Sequence, residues 1–170
     1  MIILGIDPGL IRTGYGIIDA AKGPKMKLLE AGVITTDARD GITSRLHRIF
    51  RNIDGLIKQY SPGVIVIEKL YAHYKHPTTA LLMGHARGVV CLAAGINDLR
   101  LVSYGATRIK KAVTGNGRAS KQQVQRTVQA FLGLKKAPEP VDISDALSMG
   151  ISFVFIEGIG PVTSFPKNFG

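Results

Sequence analysis

Apolar runs and helical repeats along the chain predict a mixed α/β layout. Apolar residues follow one another over Ile2–Ile6 and Val64–Ile67, which is typical of strands buried on both faces. In chain order, the pattern predicts strands at Ile2–Ile6, Thr13–Ile18 and Lys27–Thr36, a helix at Ile42–Tyr60, a strand at Val64–Ile67, a helix at Thr78–Ala94, a strand at Arg100–Ser103, and helices at Ala106–Val113, Ser120–Phe131 and Asp142–Ile156. This order favours one sheet covered by helices.

Length and apolar content fit one domain. The chain has 170 residues, of which 45% are hydrophobic, and this is enough for a substantial core. We expect residues 1–156 to form a single domain and the Gly- and Pro-rich segment 157–170 to be a flexible tail. No apolar run approaches the ~18 residues that span a membrane. The first residues are typical of a core strand, not of a signal peptide.

The cysteine content indicates the compartment. Cys91 is the single cysteine, so no disulfide can form within the chain, and a reducing cytoplasm is the expected location. The apolar run Val89–Ala93 surrounds this thiol in the sequence. We therefore predict that Cys91 packs in the core and is not a nucleophile.

Positive charge is concentrated in one part of the sequence. The net charge is +10. Between Lys69 and Pro138 twelve Lys and Arg stand against one acid, Asp98, whereas the rest of the chain is close to neutral. Such a segment suggests a footprint for a polyanion, with a solvated cationic face as the simpler alternative. Candidate nucleic-acid contacts in this segment are Lys69, Lys75, Lys110, Lys111, Arg118 and Lys121.

Acidic residues end two of the predicted apolar strands. Asp7 follows Ile2–Ile6 and Glu68 follows Val64–Ile67. If these strands are neighbours and parallel, both carboxylates leave the same edge of the sheet. Either acid alone is more simply explained as a solvated residue at the end of a strand.

A second pair of acids supports the prediction of a catalytic site. Asp142 and Asp145 are three residues apart at the start of the last helix and so share one face. Asp142 is also explained as a first-turn residue that suits the helix dipole. Asp145 lies in an apolar helix, where a carboxylate needs a partner. Four converging carboxylates suit two magnesium ions ~4 Å apart, a site that can cleave phosphodiesters, and we expect manganese to substitute.

Four short blocks follow one another between residues 1 and 155. They are Gly5-Ile6-Asp7-Pro8-Gly9 with Thr13-Gly14-Tyr15-Gly16; Ile67-Glu68 with Ala80-Leu81 and Ala86-Arg87-Gly88-Val89; Lys110 and Val113 with Gly115, Gly117, Ala119, Lys121 and Gln123-Val124-Gln125; and Asp142-Ile143-Ser144-Asp145-Ala146-Leu147. Together they resemble the RuvC family of bacterial Holliday-junction resolvases. Asp-Pro-Gly alone is a weak motif, but the ordered set is highly specific.

The resemblance implies a ribonuclease-H-like fold with a five-stranded mixed sheet flanked by helices. It implies a homodimer that nicks two strands of a four-way DNA junction symmetrically, in recombination and repair, together with the branch-migration proteins RuvA and RuvB. The family's catalytic and metal-binding roles fall on Asp7, Glu68, Asp142 and Asp145. Lys110 and Lys121 match basic positions near the scissile phosphate, and Tyr71 matches an aromatic residue that stacks on a base. The loop Lys69–Pro77 departs from the family pattern and is about a residue longer.

Three alternatives share some of these features. A nuclease of the same fold that acts on structured RNA or on RNA–DNA hybrids would keep the carboxylates. Actin-like sugar kinases and ATPases also open with a strand, an Asp-x-Gly turn and a Gly-rich hairpin that cradles phosphate, but they generally need two related domains and about twice this length or more. A DNA-binding protein without catalysis would not need four acids, which repel phosphate unless metal lies between them.

Overall fold

The computed structural model of the protein describes residues 1–20, 26–70 and 77–159, and for residues 77–79 it describes the backbone only. Its elements follow the predicted order and lie within a few residues of the predicted bounds. They are β1 (Ile2–Asp7), β2 (Arg12–Asp19), β3 (Lys27–Thr35), α1 (Ile42–Tyr60), β4 (Val64–Glu68), α2 (Pro77–Ile96), β5 (Arg100–Tyr104), α3 (Ala106–Thr114), α4 (Lys121–Leu132) and α5 (Val141–Ile156). None of the described helices is long and apolar enough to cross a membrane.

The five strands form one mixed sheet in the order β3-β2-β1-β4-β5. The first three strands are antiparallel neighbours, whereas β4 and β5 run parallel to β1. The carboxyl ends of β1, β4 and β5 therefore meet at one edge, which we call the carboxyl edge. The predicted five-stranded mixed sheet is confirmed.

Helices cover both faces of the sheet, and each face has its own apolar cluster. Leu4 and Ile6 of β1 pack with the inner sides of α1 and α2. Ile3, on the opposite face of the same strand, packs with residues of α3, α4 and α5. Burial on both faces explains why the central strands are continuous apolar runs, without alternation of apolar and polar residues.

Three glycines allow α5 to lie directly on β1 and β2. A Cβ atom at Gly5 would lie 2.1 Å from the Ala146 carbonyl oxygen, and one at Gly14 would lie 2.2 Å from the Asp142 carbonyl oxygen. A Cβ atom at Gly16 would lie 2.4 Å from the Leu147 side chain. Any larger residue would force the helix away from the sheet, so these glycines fix the height of α5 and of its acids above β1.

The prediction that Cys91 packs in the core is wrong, because its side chain is exposed. The apolar run around it lies in α2, where successive side chains point about 100° apart. Val90 and Ala93 are fully buried against the sheet, whereas Leu92 is 57% exposed on the other side of the helix. A continuous apolar run on a helix therefore cannot be buried all round when only one side meets the sheet.

The end of α5 is anchored through Glu157, the first residue of the predicted tail. Its carboxylate accepts a hydrogen bond from the Tyr104 hydroxyl at 2.8 Å and pairs with Arg100 at 3.3 Å. Both donors lie on β5, so the folded unit extends at least to Glu157. Residues 160–170 lie outside the described part of the chain, where the flexible tail stays a prediction.

Candidate nuclease site

Asp7 and Glu68 end neighbouring parallel strands, as their positions in the sequence suggested. Ile6 of β1 pairs with Ile67 of β4, so the next residue on each strand reaches the carboxyl edge side by side. The two strands are therefore parallel neighbours, which is what the convergence of the two carboxylates requires. The two acids leave the sheet together at the end of its two central strands.

The first turns of α5 bring the other two acids to the same place. Asp7 is largely buried, and its pKa is raised to about 7, first by burial and then by the charges of Asp145, Glu68 and Asp142 in that order. Burial and the charge of Asp145 also raise the pKa of Glu68. Four residues from three separate elements therefore share one electrostatic field, which supports their predicted role as one cluster.

Basic side chains face these acids. Arg12 pairs with Asp142 at 2.9 Å, and Lys121 lies 3.6 Å from Asp145. Burial raises the pKa of Asp145 even though Lys121 acts to lower it. The partner that Asp145 was expected to need is thus in part Lys121, the first residue of α4. Arg12 was not among the predicted site residues, because its pairing with Asp142 depends on the close approach of α5 to β2.

Among the described residues, no three His, Cys, Asp or Glu side chains are already arranged around one point to hold a metal ion. The charges of the other three acids nevertheless raise the pKa of Asp7, so the carboxylates repel one another. The ion pairs of Asp142 and Asp145 turn some of the oxygens toward Arg12 and Lys121. Hard oxygen donors, burial and mutual repulsion fit a divalent cation, which would bind oxygens and relieve the repulsion.

Arg87 of α2 supports the end of β4. Its guanidinium donates to the backbone carbonyl of Glu68 and, at 3.0 Å, to the Ser103 hydroxyl on β5. A single side chain therefore joins α2 to both parallel strands at the carboxyl edge. The motif that contains Arg87 predicts no contact for it, because its partners are 19 and 16 residues away in the chain.

The predicted DNA contacts fall into three groups. Lys110 and Lys121 act electrostatically on Glu68, within the carboxylate cluster. Lys69 and Lys111 instead line a neighbouring cleft of about 550 Å³, beside the start of α3. Arg118 is exposed on the turn between α3 and α4, and the pKa shifts of the acids do not involve it. Two further predicted contacts, Tyr71 and Lys75, lie outside the described residues.

Comparison with known proteins identifies the family. A family model described as crossover junction endodeoxyribonuclease RuvC matches residues 3–153. The chain belongs to the RuvC family. A RuvC from Rhodopirellula baltica is 44% identical over 149 residues, which cover 88% of this chain and 83% of that relative. A RuvC from Alkaliphilus metalliredigens is 42% identical over 89% of this chain and 91% of its own length.

Solved RuvC structures share the fold. The structure of Thermus thermophilus RuvC is similar with a TM-score of 0.86 and 30% identity, covering 94% of this chain and 96% of that one. The same protein in complex with a Holliday junction substrate gives a TM-score of 0.87 and 30% identity, with 92% and 94% covered. The ribonuclease-H-like fold and the family expected from the sequence are confirmed.

Proposed function

We propose that this protein is a Holliday junction resolvase, an endonuclease that hydrolyses one phosphodiester in each of two strands of a four-way DNA junction. The observation that carries the proposal is the cluster of four coupled carboxylates at the carboxyl edge of a RuvC-family fold. The relatives named above are crossover junction endodeoxyribonucleases, and one related structure holds a Holliday junction substrate. Symmetric nicks would leave ends that a ligase can seal, which suits recombination and repair.

The cluster would hold two divalent cations, magnesium in the cell and manganese as a substitute. The proposed ligands are Asp7, Glu68, Asp142 and Asp145. Bound cations of this kind neutralise substrate phosphate and lower the pKa of a coordinated water. Asp7 must be ionised to act as a ligand, and its pKa of about 7 leaves it partly protonated at neutral pH. Cation binding would therefore displace a proton from this site.

Basic residues around the cluster would hold the DNA backbone. Lys110 and Lys121 would meet the phosphate nearest the carboxylates, and their electrostatic effect on Glu68 supports this role. Lys69 and Lys111 would receive the strand where it passes the cleft beside α3. We propose Arg118 and Lys75 as outer contacts, and Tyr71 as the ring that stacks on an unpaired base at the opened crossover. The roles of Lys75 and Tyr71 rest on the sequence alone.

The test is cleavage of a synthetic four-way junction beside a linear duplex and an RNA–DNA hybrid of the same sequence. We expect magnesium-dependent nicks at symmetric positions in two junction strands and little cleavage of the other substrates. Asp7→Asn should still bind the junction, because binding rests on the basic face, but it should not cut. Preferential cleavage of the hybrid, or an active Asp7→Asn protein, would contradict the proposal.

We also propose that the protein acts as a homodimer joined through α2. Paired nicks need two carboxylate clusters, and the described residues form one. Leu81, Leu92 and Ile96 are more than half exposed on α2, at 68%, 57% and 58%. Gly88 and Gly95 share this side of the helix, and neither has an atom within 4 Å of an added Cβ position. An apolar stripe with small residues suits close packing of α2 against its copy.

Cys91 provides a native probe of this interface. Its exposed thiol lies beside Leu92 on α2. Sedimentation should show a dimer, and alkylation of Cys91 by a bulky maleimide should slow as the protein concentration rises through the dimer range. Cys91→Ser should dimerise normally. A monomer in sedimentation, or alkylation at a constant rate across those concentrations, would exclude α2 as the dimer interface.

Partners and location are proposed from the family membership and the sequence. RuvC-family membership suggests cooperation with RuvA and RuvB, which move the branch point along DNA. We expect a ternary complex with a RuvAB-bound junction in a gel-shift assay. The cytoplasmic location expected from the cysteine content stays a prediction.

A further inference from the structure

A second basic surface lies on α1, outside the basic segment Lys69–Pro138 in which the charge pattern predicts the polyanion footprint. Its side chains line a shallow cavity of about 330 Å³: Ser44, His47, Arg48, Arg51 and Asn52. We call this surface the α1 patch. It lies on the opposite face of the sheet from α3 and α4, which carry Lys110 and Lys121.

The α1 patch is adjacent to the carboxyl edge. β3 ends at Thr35 opposite Arg12, which starts β2, so α1 begins where β1 ends. The Arg45 guanidinium confirms this proximity, because it donates to the Leu10 carbonyl oxygen at 3.2 Å. Leu10 follows Asp7 by three residues. Cations thus lie on both faces of the sheet, with Arg45 of α1 beside the loop that follows β1.

The positive charge of the α1 patch is not neutralised within the described chain. From Gly41 to Ile53 there are three arginines and no acid. Arg45 acts electrostatically on Asp37, whereas Arg48 and Arg51 belong to the α1 patch. Asp54, the next acid, is held by Lys58 at 2.6 Å and by the Asn97 amide at 3.1 Å. Neither Arg48 nor Arg51 belongs to any ion pair among residues 1–20, 26–70 and 77–159. Two exposed guanidinium groups one helical turn apart suit neighbouring backbone phosphates.

We infer that the α1 patch binds the phosphate backbone of a second segment of the junction, on an arm other than the one held by Lys110 and Lys121. The inference rests on the proposed junction function and names a further part of its substrate contact. A four-way junction sends arms away from the crossover in several directions, so DNA centred on the carboxylates can reach both faces of the sheet. An acidic protein partner is less suited, because the patch borders the edge where the DNA is cut.

The test is junction binding without divalent cations, so that no strand is cut. Arg48→Gln/Arg51→Gln removes two charges from the α1 patch. Lys27→Gln/Lys58→Gln removes two charges at the far end of β3 and α1, near the opposite edge of the sheet. Both proteins therefore have the same net charge. All variants are first compared by thermal unfolding, and Arg48→Lys/Arg51→Lys serves as the conservative replacement.

We expect the α1 patch variant to bind the junction about 5- to 50-fold more weakly at ~0.1 M salt, with a log–log salt slope smaller by about 1–2. The opposite-edge variant and the lysine replacement should resemble the wild type. Equal loss in the two glutamine variants, or no loss in the patch variant, would overturn the inference while leaving the proposed function intact. A wild-type protein that fails to bind the junction would overturn both.

Neutral phosphates would locate the contact on the DNA. Methylphosphonates placed singly along each arm should weaken wild-type binding at the contacted positions. At positions that contact the α1 patch, a methylphosphonate should weaken binding by the wild type but hardly change binding by the Arg48→Gln/Arg51→Gln protein, which has already lost the contact. Such positions should lie on an arm away from the cleaved phosphates. If no position shows this dependence, the α1 patch does not bind DNA.

Discussion

Asp7 is a buried carboxylate that should weaken the fold at neutral pH. Its pKa rises from 3.8 in the unfolded chain to about 7 in the folded protein, mainly through burial. Between these values the folded state binds a proton that the unfolded chain has released, so stability falls as pH rises through this window. The ionised side chain required at the proposed metal site is therefore the form that the fold tolerates least.

Asp7→Asn should stabilise the protein at pH 8 in the absence of divalent cations. The amide cannot ionise, so the free-energy cost of burying an ionised Asp7, up to about 4 kcal/mol, is removed. The Tm should rise by about 2–4 °C for each kcal/mol gained. The gain should fall below about 1 kcal/mol near pH 4, where Asp7 stays protonated in the folded state and is only about half ionised in the unfolded chain. Thermal unfolding from pH 4 to 8 measures this difference. Asp98→Asn, at an exposed position, is the control, and a pH-independent gain in Asp7→Asn would contradict the assigned cause.

Magnesium separates the role of Asp7 in stability from its role as a ligand. A cation that binds the folded state should raise the Tm of the wild type at pH 8. Asp7→Asn, with a weakened site, should gain much less from the same magnesium concentration. Equal gains in both proteins would place the cation elsewhere.

At the scale of elements, the contact between α5 and the sheet sets the distance from Asp142 and Asp145 to Asp7. Gly14→Ala places a methyl group 2.2 Å from the Asp142 carbonyl oxygen, so α5 must move. We expect a loss of about 1–3 kcal/mol in stability and at least a tenfold loss of cleavage, with junction binding retained.

Gly55→Ala is the matched control, because nothing lies within 4 Å of its added Cβ and it lies inside α1. It should stabilise the protein by about 1 kcal/mol and leave cleavage unchanged.

Arg87 joins α2 to the strand ends at the carboxyl edge and positions Glu68 through its backbone. Arg87→Lys keeps the charge but cannot donate to the Glu68 carbonyl and the Ser103 hydroxyl with one planar group. We expect single-turnover cleavage to slow by about 10-fold or more while junction affinity changes less than about threefold. Ser103→Ala should show a smaller defect in the same direction. An equal loss of affinity and rate would instead indicate that Arg87 contacts DNA.

The strands, the helices and the four acids could be predicted from the sequence because their signals are local or motif-based. Apolar runs identify β1 and β4, and each acid follows directly along the chain. The ion pair between Arg12 and Asp142 could not be read this way, because it depends on how closely α5 approaches β2. The exposure of Cys91 was mispredicted for the same kind of reason: composition does not show which side of α2 meets the sheet.

At the scale of the whole molecule, the proposed dimer would make two cleavage events depend on one another. A nick in one strand lets a strained junction relax, so the second nick must follow while the protein remains bound. Two clusters joined through α2 would meet both strands in a single encounter. A monomer would carry one cluster and would have to rebind for the second cut.

Leu92→Glu tests this dependence by placing a charge in the exposed apolar stripe of α2. Two such charges would face each other without partners in the dimer, which costs several kcal/mol, so sedimentation should show a monomer. On a supercoiled plasmid that extrudes a cruciform, coordinated cuts give linear DNA, whereas a first cut alone releases the supercoiling and leaves a nicked circle. The wild type should give mainly linear product and Leu92→Glu mainly nicked circles. Gln59→Glu, which adds the same charge to the exposed side of α1, should behave like the wild type. Mainly linear product from a monomeric Leu92→Glu protein would show that paired cleavage does not need the α2 interface.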